Sequence, residues 1–117
     1  MAYVEGFVVA VPEENQEAYR DLAARAAEIF KRYGATRVVE AWGTDVPEGK
    51  VTDFPRAVQS EPGEVVVFSW IEFPSKQARD ETFARMEAEN AMDDFMGEMP
   101  FDGKRMIFGG FETILDV

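Results

Sequence analysis

Glu64-Val65-Val66-Val67-Phe68-Ser69-Trp70-Ile71-Glu72-Phe73 is the stretch on which the fold turns. It is dense in β-branched and aromatic residues and lies between Pro62-Gly63 and Pro74, so it reads as one strand. The Val65 to Phe68 run marks a central strand covered on both faces. Downstream, Ser75 caps a helix expected to run to about Glu89, with Ala78, Thr82, Phe83 and Met86 turned inward. A Met-rich irregular or short helical piece follows, containing Met92, Phe95, Met96 and Met99. Asp102-Gly103 turns the chain, and Lys104 to Asp116 supplies a last strand.

Upstream, Tyr3 to Val11 reads as a first strand stopped by Pro12, which cannot donate to a ladder. Asn15 is the expected N-cap of a helix carrying Tyr19, Leu22, Ala26, Ile29, Phe30 and Tyr33 at helical spacing as far as Gly34. Thr36 to Gly43 is the second strand. The connection from Thr44 to Pro62 is long for a hairpin, and its spaced Val46, Val51, Phe54 and Val58 predict an ordered arm that packs on something. The order β-α-β-β-α-β over residues 1–117 predicts a single α+β domain with a ferredoxin-like antiparallel sheet and both helices on one face.

Composition narrows the chemistry. The 117 residues carry 12 basic and 23 acidic side chains, a net charge of −11, with no Cys and no His. No disulfide, thiolate nucleophile, imidazole base or zinc site of the usual kind can be built, so proton transfer falls to carboxylates, Tyr, Lys or water. Neither metal nor cofactor is expected. The adjacent basic pairs are Lys31-Arg32 and Lys104-Arg105 alone, which argues against a nucleic-acid surface. No apolar run approaches membrane-spanning length, and Glu5 interrupts what would be the core of a signal peptide, so a cytoplasmic address and no membrane partner are expected.

A sheet covered on one side leaves its other face to be filled. Alternation assigns Val39, Ala41, Val65, Val67, Ile71, Ile107, Phe111 and Leu115 to the helix side. The opposite set mixes aromatics and acids: Tyr3, Glu5 and Phe7; Glu40 and Trp42; Phe68, Trp70 and Glu72; Phe108 and Glu112. A second subunit is expected to cover this face, making a homodimer. Carboxylates walled by aromatics lose hydration and gain basicity, so Glu40 and Glu72 are the catalytic candidates. Tyr3, Glu5, Trp42, Phe68, Trp70, Phe108 and Glu112 are the candidate ligand contacts. Each Glu has an alternative in pairing with Arg37, Arg56, Arg79 or Arg105, and Trp42 and Trp70 serve a flat ligand or an interface equally well. Gly109-Gly110 suggests a bulge or a close backbone approach; a bulge would flip Glu112 to the other face.

Tyr3-Val4-Glu5-Gly6-Phe7-Val8, Arg37-Val38-Val39-Glu40-Ala41-Trp42-Gly43, Asp45 through Phe54, Val66 through Glu72, and Met99 through Ile107 together resemble the YbaA-like family of small uncharacterised bacterial proteins, related to the dimeric α+β barrel superfamily. Ala41 departs from the Cys expected between Glu40 and Trp42. The resemblance implies a ferredoxin-like homodimer. By analogy with cofactor-independent monooxygenases among related barrels, it implies a small flat molecule held in an aromatic and acidic pocket and handled by carboxylate acid/base chemistry. The alternative is a non-catalytic dimeric binding or stress-related module.

Overall fold

A computed structural model describes residues 2–95, 97 and 99–117; Met96, part of the Met-rich piece, lies outside the described residues. Strand β1 (Tyr3–Pro12) leads through a 3-10 turn into helix α1 (Gln16–Tyr33), followed by β2 (Arg37–Trp42), the short helix α2 (Phe54–Ala57), β3 (Glu64–Phe73), α3 (Lys76–Ala88) and β4 (Ile107–Glu112). The strands pair antiparallel in the order β2-β3-β1-β4, the ferredoxin-like arrangement expected. None of the described helices is long and apolar enough to cross a membrane.

Local chemistry sets the ends. Ser75 Oγ accepts the Ala78 N–H at 3.1 Å and starts α3. Asn15 holds the N-cap position of α1 but makes no capping bond; its side-chain amide donates instead to the Pro100 carbonyl at 2.9 Å. Strand β4 is shorter than the expected Lys104 to Asp116, because Asp102 accepts the Lys104 N–H at 3.0 Å and winds Gly103–Arg105 into a 3-10 turn. At its other end β4 stops at Glu112, opposite Tyr3 where β1 begins, so Leu115 falls beyond the sheet and is exposed.

Residues opposite one another in an antiparallel pair share a face, and the register corrects the alternation. Tyr3, Glu5, Phe7, Glu40, Trp42, Phe108 and Glu112 have the parity of Val67 and Ile71, which pack toward the helices; Val39, Ala41, Ile107 and Phe111 have the opposite parity. Phe68, Trp70 and Glu72 of β3 stand on the uncovered face as expected. With apolar residues on both faces, hydrophobic alternation has no polar reference, and the acids taken to mark the outside are answered from within by Tyr19 and Arg79. The β1–β4 register runs unbroken from Tyr3↔Glu112 to Val8↔Ile107, so there is no bulge. Gly110 is instead a close approach: a Cβ there would collide with the Tyr3 hydroxyl and the Arg79 guanidinium.

The main core lies between sheet and helices, around Val9, Val11, Val67, Ile71 and Phe73. Phe83 of α3 meets Phe73 edge-on at 5.8 Å between ring centroids and Phe30 of α1 at 6.1 Å. Each such buried side chain contributes about 1.5–3 kcal/mol.

The arm is ordered, and it packs on the lower half of the other sheet face. Val58, 1% exposed, closes a small core with Ala10 and Val66, while Phe54 stands edge-on to Phe68 at 6.0 Å. Asp53 caps α2 through the Arg56 N–H at 2.8 Å and also accepts the Gly49 N–H at 3.1 Å. Arg105 fixes the arm's end, reaching both Glu64 oxygens at 2.7 and 2.8 Å and the Gln59 carbonyl at 2.8 Å. The upper half of this face stays open. Gly6 and Gly109 lie opposite each other there, leaving a hollow of about 620 Å³ walled by Phe68, Trp70, Ile107, Phe108 and Phe111.

Candidate functional site

Helix α1 faces the sheet with Tyr19, Ala23, Ala26, Ala27 and Phe30, residues three or four apart and hence on one stripe. Large ends with small alanines between them lift the helix off the sheet, and a pocket of about 190 Å³ remains beneath it. Phe7 and Ile71 form its floor; Met92, Phe95, Met99, Phe101 and Met106 close its side. Among these described lining residues the polar groups are Tyr19, Glu40 and Ser69.

Those three converge. Tyr19 is 8% exposed and is held by an edge contact with Phe101, 5.6 Å between centroids, and its hydroxyl donates to Glu40 Oε1 at 2.6 Å. Ser69 is opposite Glu40 in the β2–β3 register and opposite Phe7 in the β1–β3 register, on the face where its hydroxyl acts on both Glu40 and Tyr19. Glu40 as a residue is exposed, because β2 is an edge strand, but its carboxylate lies against the apolar pocket wall. Lost hydration pushes its pKa above the ordinary carboxylate value, against the opposing pull of the Tyr19 and Ser69 hydroxyls. Tyr19 is pushed well up, by burial and by the carboxylate it serves, so it stays a donor. On the other side of this pair a groove of about 400 Å³ runs between α1 and β2, lined by Arg20, Ala24 and Trp42. Tyr19 and Glu40 thus form the wall between an outer groove and an inner pocket.

The remaining candidates fall into separate places. Glu5 is 3% exposed beneath α3, where Arg79 Nη1 approaches its Oε1 at 3.5 Å and also donates from Nη2 to the Tyr3 hydroxyl at 3.0 Å. Burial raises the Glu5 pKa, Arg79 opposes the rise and Asp80 adds to it. Glu72, on the open face, accepts the Trp70 indole N–H at 2.9 Å and pairs with Arg37 at 3.4 Å, an ion-pair scaffold. Phe68 and Trp70 pack edge-on at 5.8 Å beside the hollow; Phe108 rims it, 68% exposed, and Glu112 is exposed at the end of β4. Among the described residues no three acids draw together as a metal site would require. Sequence reasoning missed the roles of Tyr19 and Ser69. The available signal was the run of alanines following Tyr19 on one helix stripe, which implies space rather than packing.

Among solved structures, two dimeric ferredoxin-like proteins from uncultured marine organisms share the fold. One superposes with a TM-score of 0.64 at 9% identity over 99% of this chain and 98% of its own; the other gives 0.53 at 11% over 100% and 98%. The likeness to uncharacterized protein YbaA of Escherichia coli K12 is much nearer, 59% identity over 116 residues and 99% of both chains, and YbaA of Shigella flexneri matches equally. The family model described as "protein of unknown function (DUF1428)" matches residues 2–103, and with that span and this identity the chain belongs to the DUF1428 family.

Proposed function

We propose that the chain works as a homodimer whose pocket beneath α1 takes up a small flat molecule and exchanges a proton with it through Glu40. The observation that carries this reading is the 2.6 Å hydrogen bond from Tyr19 to Glu40 in the wall of an otherwise apolar pocket. A carboxylate with raised pKa is a better base than one in water. The high pKa of Tyr19 keeps its proton in place, so Tyr19 steadies the ionised Glu40 before a proton arrives and orients it afterwards. The apolar walls suit a ring held by dispersion and sulfur–aromatic contacts. Glu40 is favoured over Glu72 as the acid or base, since Arg37 and Trp70 both reach Glu72 Oε2.

The homodimer part rests on the open face. Phe68 is 48% and Phe111 63% exposed around one hollow, a concentration of aromatic surface that a second copy would bury. The same hollow favours the second reading, a non-catalytic module in which the dimer interface is the working surface.

Carbon-detected NMR titration of the Glu40 carboxyl tests the reading. A pKa above the ordinary Glu value of 4.5 is expected. A value below it would leave the pocket without its base and favour the module.

A further inference from the structure

We infer that the pocket beneath α1 selects neutral, single-ring molecules that carry one hydroxyl donor, phenol-type ligands, and rejects carboxylates and phosphates. This rests on the acid/base reading of Glu40 and adds to it the chemical class of the ligand.

Size comes first. A dry apolar cavity of about 150 Å³ holds one benzene molecule. The pocket here, about 190 Å³, has room for one ring and a small substituent.

Charge comes second. Among the described residues lining the pocket Glu40 is the one ionisable group besides Tyr19, and none is a cation. Arg25 stacks on the Phe95 ring at 5.0 Å and Arg20 lines the outer groove, but neither lines this pocket. An anionic ligand would meet a carboxylate with no counter-charge, inside a chain of net charge −11.

Hydrogen bonding comes third. An ionised carboxylate offers about four acceptor directions; Tyr19 takes one on Oε1 and the Ser69 hydroxyl engages a second. The remaining directions require a donor. An aromatic hydroxyl is such a donor and is neutral at pH 7, with a pKa of about 10 like that of the tyrosine side chain. When its proton moves, the ligand O–H bond breaks and an O–H bond forms on Glu40, with no change of oxidation state.

Two-dimensional amide NMR of the intact protein at pH 7 with 4-methylphenol, toluene and benzoate provides the test. The expected result is that 4-methylphenol shifts the Ala26, Ala27 and Ser69 signals with a Kd about tenfold below that of toluene, while benzoate leaves them unmoved. Ala26→Leu and, separately, Ala27→Val fill the pocket and remove both responses. Should either variant fail to fold, the three probes on the wild-type chain decide alone. Equal Kd values for 4-methylphenol and toluene, a benzoate response at these amides, no response to any probe, or 4-methylphenol shifts confined to Trp70 and Gly109 would overturn the inference. A raised Glu40 pKa together with any of those results overturns the ligand class alone; a depressed Glu40 pKa overturns the acid/base reading beneath it.

Discussion

The Tyr19 hydroxyl of helix α1 and the Glu40 carboxylate of edge strand β2 are joined at 2.6 Å across the gap that separates helix from sheet. The bond favours the ionised carboxylate, while burial disfavours it. Tyr19→Phe removes the donor and leaves the desolvation, so the Glu40 pKa should climb further. The lost hydrogen bond to a charged group should cost about 1.5–3 kcal/mol in the ionised state. Side-chain carboxyl titration of the variant, with denaturant melts at neutral pH, checks both; an unchanged Glu40 pKa would contradict the geometry.

Glu40→Gln should act in the opposite sense on stability. With a folded pKa raised above 4.5, Glu40 binds its proton more tightly folded than unfolded. Its favourable contribution is therefore complete at acid pH and disappears as pH rises through the folded pKa. The Gln variant should melt higher than the parent at pH 7, and the advantage should shrink as pH falls toward 4. Melting curves at the two ends of that range measure it.

Trp70→Arg places a charge at the rim of the open hollow without touching the covered core. Light scattering should give twice the chain mass for the parent and the single-chain mass for the variant, with the helical signal in circular dichroism unchanged. A parent that runs as a monomer at micromolar concentration would remove the homodimer.

Adjacent glycines in β4 should respond unequally. A Cβ at Gly110 meets the Tyr3 hydroxyl and the Arg79 guanidinium, whereas a Cβ at Gly109 meets only the Phe111 ring at 3.7 Å, ordinary contact. Gly110→Ala should destabilise by about 1–3 kcal/mol through overpacking, and Gly109→Ala should fall within about 0.5 kcal/mol of the parent. Paired urea melts give the comparison.

Strand β3 was legible from Glu64 to Phe73 because its length, its bounding prolines and its side-chain type all agree. The element order followed, as did the ordered arm, whose apolar spacing anticipated Val58 and Phe54. Side-chain parity in β1, β2 and β4 was not legible. Glu5 and Glu40 look outward by composition, yet each faces helices that supply Arg79 or Tyr19, and such long-range partners leave no trace in local alternation. Glu40 was reachable from sequence as a carboxylate near Trp42. Tyr19 was not, because a tyrosine on an apolar helix stripe reads as core until the alanines beside it are seen to leave room.

If Glu40 exchanges a proton as proposed, its position on a sheet edge sets how that proton travels. β2 pairs with β3 on one side only, and the carboxylate stands in the wall between the inner pocket and the solvent-facing groove along α1. A proton taken from a bound molecule on one side can leave directly to water on the other, with no relay of side chains. Recharging of the site is then governed by bulk buffer, and any turnover should quicken with buffer concentration at fixed pH.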